Sequence, residues 1–202
     1  MLNLWVRVCQ FAVYLYLVSR AQVGWSRLYR WLYERQYRNV PIQTYDTLEQ
    51  LARVISRQKW TMDSWREFFH AVSTPQKVQA LINANARGAY IGDCDEFAIY
   101  LVAAVRRSMA RLRMPGVLSA QMMTVSWNEG WVPQAHNVCL LQMLDGFMVR
   151  YAYMDYGKPS RMYYSIEDVA QAVAEAYDKA AIPLVYAISN EDLSLESINF
   201  IR

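Results

Sequence analysis

Nine consecutive apolar residues, Phe97 to Val105, place the strongest constraint on the fold of this sequence. They follow the stretch GDCDE, in which Asp93 and Glu96 have the spacing of a helix capping box. The pattern predicts a helix with Asp93 at its N-cap and Cys94 in its first turn. Because this helix is apolar on every side, it must be buried, and other layers of structure must pack around it.

The first turn of a buried helix gives a cysteine particular chemistry. The helix dipole and the unpaired backbone N–H groups stabilise a thiolate, so we predict a lowered pKa for Cys94. The backbone amides of Cys94 and Asp95 are also candidates to hold an oxyanion during acyl transfer. The alternative is a capped helix that carries an incidental small residue at its first position.

A second pattern begins at Ala135. Residues 135–155, AHNVCLLQMLDGFMVRYAYMD, form two apolar runs joined by Asp145-Gly146, a dipeptide typical of a two-residue hairpin turn. We therefore predict two antiparallel strands in which Leu144 faces Phe147.

The same register places His136 directly opposite Asp155 on one side of the sheet. A carboxylate beside an imidazole orients the ring and keeps it basic, as nucleophilic catalysis requires, although such a pair can also be purely structural. Strand alternation puts Cys139 on the face opposite His136, which leaves Cys94 as the thiol partner. We expect Cys94, His136 and Asp155 to form one chain of contacts.

Cysteine and histidine usage excludes several classes of site. The three cysteines, Cys9, Cys94 and Cys139, have no paired spacing, so the sequence supports neither a disulfide framework nor a zinc cluster. The two histidines are His70 and His136. His70 has no ligand-type residue one helical turn away, and we predict a structural or surface role for it.

The positive charge is concentrated at the N-terminus. Residues 1–40 contain six arginines and one acidic residue, Glu34, whereas the whole chain has a formal net charge of +3. A nucleic-acid partner is not indicated, because the main domain is slightly acidic. We divide the chain into a basic, aromatic helical arm over residues 1–40 and a domain over residues 41–202.

The arm has two apolar segments. Residues 8–19 are too short for a transmembrane helix of about 20 residues, and no small-x-small cleavage site follows them. Residues 25–38 alternate aromatic and basic positions at helical spacing. Such an arm packs on its own domain, joins a larger assembly, or lies on an anionic membrane surface.

Three short motifs together resemble a known family. Cys94 in GDCDEFA, His136 in AHNV and Asp155 in YMDY look like the transglutaminase-like branch of the papain-like cysteine peptidases, in particular the bacterial transglutaminase-like cysteine proteases. The resemblance covers about residues 45–190. It implies an α+β papain-like fold in which a buried helix bearing the cysteine packs on an antiparallel sheet bearing the histidine and the aspartate. Asn137 stands where the family usually has a hydrophobic or aromatic residue after the histidine, and the arm has no counterpart.

The resemblance implies a cysteine hydrolase that cleaves a peptide or amide bond through a Cys94-His136-Asp155 triad and a thioester intermediate. It requires no cofactor, and its partner is a protein or peptide substrate. Transfer of the acyl group to an amine would make the same site a transglutaminase. A non-catalytic structural or interaction protein on this fold, such as a bacteriophage virion component, is the other alternative.

Further expectations concern the surroundings of the site. Trp127 and Trp131, in a loop before the histidine, are candidates to line the substrate cleft. Periplasmic adhesin-releasing proteases of this branch bind calcium through acidic residues beside the nucleophile, and Asp93 and Asp95 occupy those positions here. A cytoplasmic or virion-associated location is favoured over a membrane-peripheral or exported one.

Overall fold

The computed structural model describes residues 2–22, 30–61, 72–85, 88–129 and 132–201 of the chain. The α-helices with described bounds are α1 (Leu2–Gln22), α2 (Leu48–Ile55), α3 (Pro75–Ala84), α4 (Cys94–Met109) and α5 (Ile166–Tyr177). The strands are β1 (Lys59–Trp60), β2 (Tyr90–Gly92), β3 (Val117–Glu129), β4 (Val132–Asp145), β5 (Met148–Met154), β6 (Pro183–Ser189) and β7 (Leu195–Phe200).

Five strands form one antiparallel sheet in the order β5-β4-β3-β6-β7. The short strands β1 and β2 pair in parallel as a separate two-stranded sheet. Helices cover both faces of the larger sheet, so the predicted α+β class with an antiparallel sheet is confirmed.

Helix α4 is the centre of the main hydrophobic core. Its nine apolar residues, Phe97 to Val105, are each at most 2% exposed. It packs on the sheet face that carries Met122, Cys139 and Met154, and helices α2 and α3 cover its outer side. The sequence prediction of a helix buried on every side is therefore confirmed.

Helix α4 begins as the sequence predicts. The Asp93 side chain accepts the Asp95 amide at 2.9 Å, and the Glu96 side chain accepts the Asp93 amide at 3.3 Å, which completes the capping box. Gly92 precedes the cap with a φ of 121°, and a Cβ at this position would lie 2.6 Å from the Glu96 carboxylate. Glycine is needed here because the chain turns left-handed against the side chain that caps the helix.

Helix α5 packs on the opposite face of the sheet. Its buried residues, including Val169 and Val173, lie against Met123 and Val138 in a second core. Since Cys139 belongs to the α4 face and Val138 to the α5 face, β4 alternates between the two cores.

Helix α1 packs on the chain's own sheet. Cys9 and Val13 lie against Val185 and Ala187 of β6. Gln10 Nε2 also donates to the carbonyl of Leu184 at 3.2 Å. Of the alternatives for the arm, packing on its own domain is thus observed for this helix, while residues 23–29 lie outside the described ranges. Within the described residues, no helix combines the length and apolarity needed to cross a membrane.

The hairpin between β4 and β5 forms, but with a different register. Asp145 pairs with Met148 and Leu144 with Val149, so the predicted pairing of Leu144 with Phe147 is wrong. The turn residues are Gly146 and Phe147, and Gly146 has a φ of 61°, because glycine takes the first turn position as in a type II′ turn.

The observed register also changes which residue lies opposite His136. The observed pairing ends at Cys139 and Met154, and the same register extended would place His136 opposite residue 157, so His136 does not directly face Asp155 as predicted. A one-residue change in the turn shifts every pair by two positions, however, and an even shift keeps each residue on the same face. His136 and Asp155 are therefore diagonal neighbours on one side.

Candidate active site

Cys94 is the first residue of α4, directly after its N-cap. Its sulfur accepts a hydrogen bond from Asn137 Nδ2 at 3.6 Å. Among the described residues this amide, and not the imidazole of His136, is the hydrogen-bond partner of the sulfur. The predicted chain of contacts is therefore incomplete at this link.

Asn137 is held in one orientation by a buried network. Its Oδ1 accepts the hydroxyl of Thr124, its cross-strand partner, and its Nδ2 donates to Asp95 as well as to the sulfur. Thr124 and Asn137 are 3% and 4% exposed, so neither can satisfy these bonds with bulk water. The network fixes a side-chain N–H group against Cys94.

His136 contacts Asp155 as the sequence predicts. The Nε2 atom lies 3.0 Å from Asp155 Oδ1, and the His136 side chain is 7% exposed. The contact bridges the end of β5 and the middle of β4, since Asp155 directly follows the last residue of β5. A nearly buried imidazole therefore has a carboxylate in hydrogen-bond contact.

Tyr177, the last residue of α5, completes this group. Its hydroxyl donates to Asp155 Oδ2 at 2.8 Å and lies 2.6 Å from His136 Nε2. Burial, followed by the charge of Asp155, raises the pKa of Tyr177 far above its ordinary value, so the phenol keeps its proton. We name the group of His136, Asp155 and Tyr177 the histidine cluster.

The histidine cluster determines the tautomer of the ring. The single proton of the Tyr177 hydroxyl is directed to Asp155, so its oxygen can only accept a hydrogen bond from His136. Nε2 must then carry the imidazole proton and donate it to both oxygen neighbours. In this tautomer Nδ1 carries the lone pair and is the nitrogen that can accept a proton.

The cysteine and the histidine cluster lie on different faces of β4. Asn137 points to the α4 face, whereas His136 pairs with Val125, a member of the α5 core. The two sides meet at the strand edge, because β4 pairs with β5 only from Cys139 onward. The Tyr156 ring joins them there, 4.7 Å from the ring of Phe97 on α4 and 5.7 Å from His136.

The structure contradicts the predicted low pKa of Cys94. Burial raises the pKa of this thiol well above its ordinary value, and the charges of Asp95 and Asp93 raise it further. Asn137 lowers it through its backbone and side-chain amides, but with smaller effect. The predicted low pKa is wrong because the helix dipole favours the thiolate less than the loss of hydration on burial disfavours it.

The predicted oxyanion donors also change. The Asp95 amide already donates to the Asp93 carboxylate at 2.9 Å, so it is engaged in the helix cap. The Asn137 side-chain amide lies beside the sulfur instead, at 3.6 Å. Asn137 and the first-turn amide of Cys94 are thus the better candidates to stabilise an oxyanion.

The acidic residues beside Cys94 offer little to a metal ion. One oxygen each from Asp93 and Asp95 lies with the Cys94 sulfur in a group that spans 4.8 Å. Both carboxylates accept N–H groups, from Asp95 itself and from Asn137. Calcium takes about six to eight oxygen ligands and disfavours thiols, so this cluster does not fit the predicted calcium site.

The predicted cleft residues have different outcomes. Trp127 is 4% exposed and its ring stacks on Tyr177 at 5.6 Å, which makes it part of the packing behind the histidine cluster. Trp131 and His70 lie outside the described residues. The sequence patterns give no role to Tyr177, which belongs to no motif, or to Tyr156, the last residue of YMDY, because only the folded chain brings their rings to His136.

Comparisons with known proteins give no match to a family model, a curated protein or a solved structure. The geometry of the site and the three sequence motifs are therefore the observations that bear on function.

Proposed function

We propose that this protein is a cysteine hydrolase that cleaves a peptide or amide bond, on a transglutaminase-like variant of the papain-like fold. The histidine cluster carries the proposal. Its hydrogen bonds engage Nε2 of a nearly buried imidazole, which makes Nδ1 the ring nitrogen able to take a proton from a thiol.

The first half of the reaction forms a thioester. Nδ1 of His136 takes the thiol proton of Cys94 as the sulfur attacks the substrate carbonyl. Asn137 Nδ2 donates to the new oxyanion. The imidazolium then gives its proton to the amine nitrogen, the C–N bond breaks, and the amine leaves.

The second half returns the free enzyme. Water loses a proton to Nδ1 and attacks the thioester carbonyl, the C–S bond breaks, and the sulfur regains the proton from the imidazolium. The product is a carboxylic acid. If an amine replaces water, the product is a new amide and the enzyme acts as a transglutaminase.

The raised pKa of Cys94 determines how this site would work. A thiol that stays neutral at pH 7 needs a base in the attacking step, and Asp155 and Tyr177 would hold His136 ready for it. Proton transfer and attack then occur together on the bound substrate, and no resting thiolate is needed.

Acylation of the thiol tests the proposal without knowledge of the substrate. We expect p-nitrophenyl acetate to acetylate Cys94, detected by mass spectrometry, and to release acetate with turnover. Cys94→Ala should abolish this turnover, and His136→Ala should reduce it by about 10²–10⁴-fold. Cys139→Ala is the matched control, because it removes a fully buried thiol of the neighbouring strand. A primary amine added to the reaction distinguishes acyl transfer from hydrolysis.

A non-catalytic interaction protein is the second candidate. The raised pKa of Cys94 favours it, because it keeps the thiol in its neutral form. The described hydrogen-bond partner of the sulfur is also an amide of Asn137 and not a base. Failure of a folded wild-type protein to acetylate Cys94, or equal acetylation in His136→Ala, would support this candidate and overturn the hydrolase.

A further inference from the structure

Helix α1 has two opposite apolar faces. Val6, Cys9 and Val13 face the sheet and belong to the packing against β6 and β7. The opposite face carries large apolar side chains with high exposure, namely Leu4 at 70%, Val8 at 49%, Phe11 at 61% and Leu15 at 50%. These four residues are spaced by four, three and four positions, so they form one continuous row, which we name the outer stripe.

Amphipathic aromatic side chains border the outer stripe. Trp5 and Tyr14 lie on its two sides and are each 36% exposed. Trp and Tyr concentrate where an apolar phase meets water, because their rings are apolar and their N–H or O–H groups are polar. An apolar row with such a border is unusual for a surface that faces only water.

A basic side chain borders the outer stripe. Arg7 is exposed beside it, and the sequence has no Asp or Glu before Glu34, although four arginines precede that residue. A second copy that docked through the same stripe would add its own arginines, because α1 contains no Asp or Glu. Anionic headgroups would neutralise them.

We infer that the outer stripe docks on an anionic lipid bilayer surface, with α1 parallel to the membrane plane and its inner face retained on the sheet. The apolar side chains enter the acyl boundary while Arg7 stays among the headgroups. This inference is independent of the proposed hydrolase, because it uses no residue of that site.

Flotation of the full chain with vesicles tests this assignment. Wild-type protein should float with vesicles of equimolar phosphatidylcholine and phosphatidylglycerol at low salt, bind much less to pure phosphatidylcholine, and dissociate at high salt. Phe11→Gln should lower the partition coefficient at least tenfold, as the loss of a buried aromatic ring predicts. Arg7→Gln should lower it about fivefold.

Phe147→Gln is the matched control, because Phe147 is fully exposed in the β4–β5 turn, in a different part of the fold. It should float like wild type, and so should Cys94→Ser, which removes the proposed nucleophile alone. Leu4→Gln repeats the test at a second stripe position, and circular dichroism verifies folding of each variant. Equal flotation of Phe11→Gln and wild type, or equal binding to both vesicle types, overturns the inference. A wild-type dimer that Phe11→Gln dissociates, without vesicle binding, would assign the stripe to a second copy instead.

Discussion

The helix dipole and the surrounding charges act in opposite directions on the thiol of Cys94. The first turn of α4 favours a thiolate, but burial and the charges of Asp95 and Asp93 favour the thiol, and these effects prevail. Because the pKa of Cys94 is raised, the thiolate fraction at neutral pH is small and rises only above the ordinary titration range of cysteine.

The pH dependence of alkylation by iodoacetamide should reflect the raised pKa of Cys94. The rate at Cys94 is expected to be low at pH 7 and still rising at pH 9, the ordinary pKa of the residue. Asp93→Asn keeps a capping side chain but removes one charge, so it should accelerate alkylation at pH 8 roughly fivefold, for about 1 kcal/mol of repulsion. The site-specific rate is measured by peptide mass spectrometry. A rate that is already maximal at mildly acidic pH would contradict the raised pKa.

Tyr177 should act through the position of His136. Tyr177→Phe removes the hydroxyl that bonds both Asp155 and the ring, so we expect turnover of p-nitrophenyl acetate to fall about tenfold, with a changed pH profile. Tyr186→Phe is the control, because its hydroxyl donates to the carboxylate of Glu167 at 2.7 Å without contact to His136. Equal losses in the two variants would indicate a general effect of losing a tyrosine–carboxylate bond.

At the scale of the element, the cap of α4 has a structural role of its own. Asp93→Ala should lower the free energy of unfolding by about 1 kcal/mol, whereas Asp93→Asn should cost little, since asparagine caps nearly as well. Chemical denaturation measures both. Calcium should change neither stability nor Cys94 alkylation relative to a chelator, because two carboxylates and a thiol offer calcium fewer oxygen ligands than it prefers. Marked stabilisation by calcium, lost in Asp93→Asn, would restore the metal that the family resemblance implies.

Elements with local signals could be predicted from the sequence. The predicted start of α4 is confirmed, because the interactions between Asp93 and Glu96 span a single turn and do not depend on the rest of the fold. The predicted hairpin forms, but its turn lies one residue later in the chain than predicted. The dipeptide Asp145-Gly146 does not show whether Asp145 ends the strand or enters the turn. The shared face of His136 and Asp155 could be predicted because an even shift preserves it.

Contacts between layers could not be predicted in this way. Alternation correctly separated Cys139 from His136, but it could not show that the helix bearing Cys94 covers the Cys139 face. For that reason Asn137, and not His136, bonds the sulfur. Tyr177 is 41 residues beyond His136 and reaches it only through the packing of α5.

At the scale of the whole molecule, one face of α1 packs on the sheet and stabilises the fold, whereas the opposite face does not. Val13 is 7% exposed against the sheet, whereas Val8 on the same helix is 49% exposed. Val13→Ala should lower the free energy of unfolding by about 1–2 kcal/mol, and Val8→Ala should stay within about 0.5 kcal/mol. Urea denaturation of the two variants provides the comparison. Equal effects would mean that α1 does not dock on β6 in solution.

Cys94 and the histidine cluster lie on opposite faces of β4, so the site forms only when both helix layers are packed on the sheet. Cys94 depends on the α4 layer, Tyr177 on the α5 layer, and the strand edge between them depends on where β5 ends. A partly folded chain with one layer docked would retain much of its secondary structure but would not assemble the site. Recovery of thiol acylation during refolding should therefore report the last tertiary step, after most of the helical signal has returned.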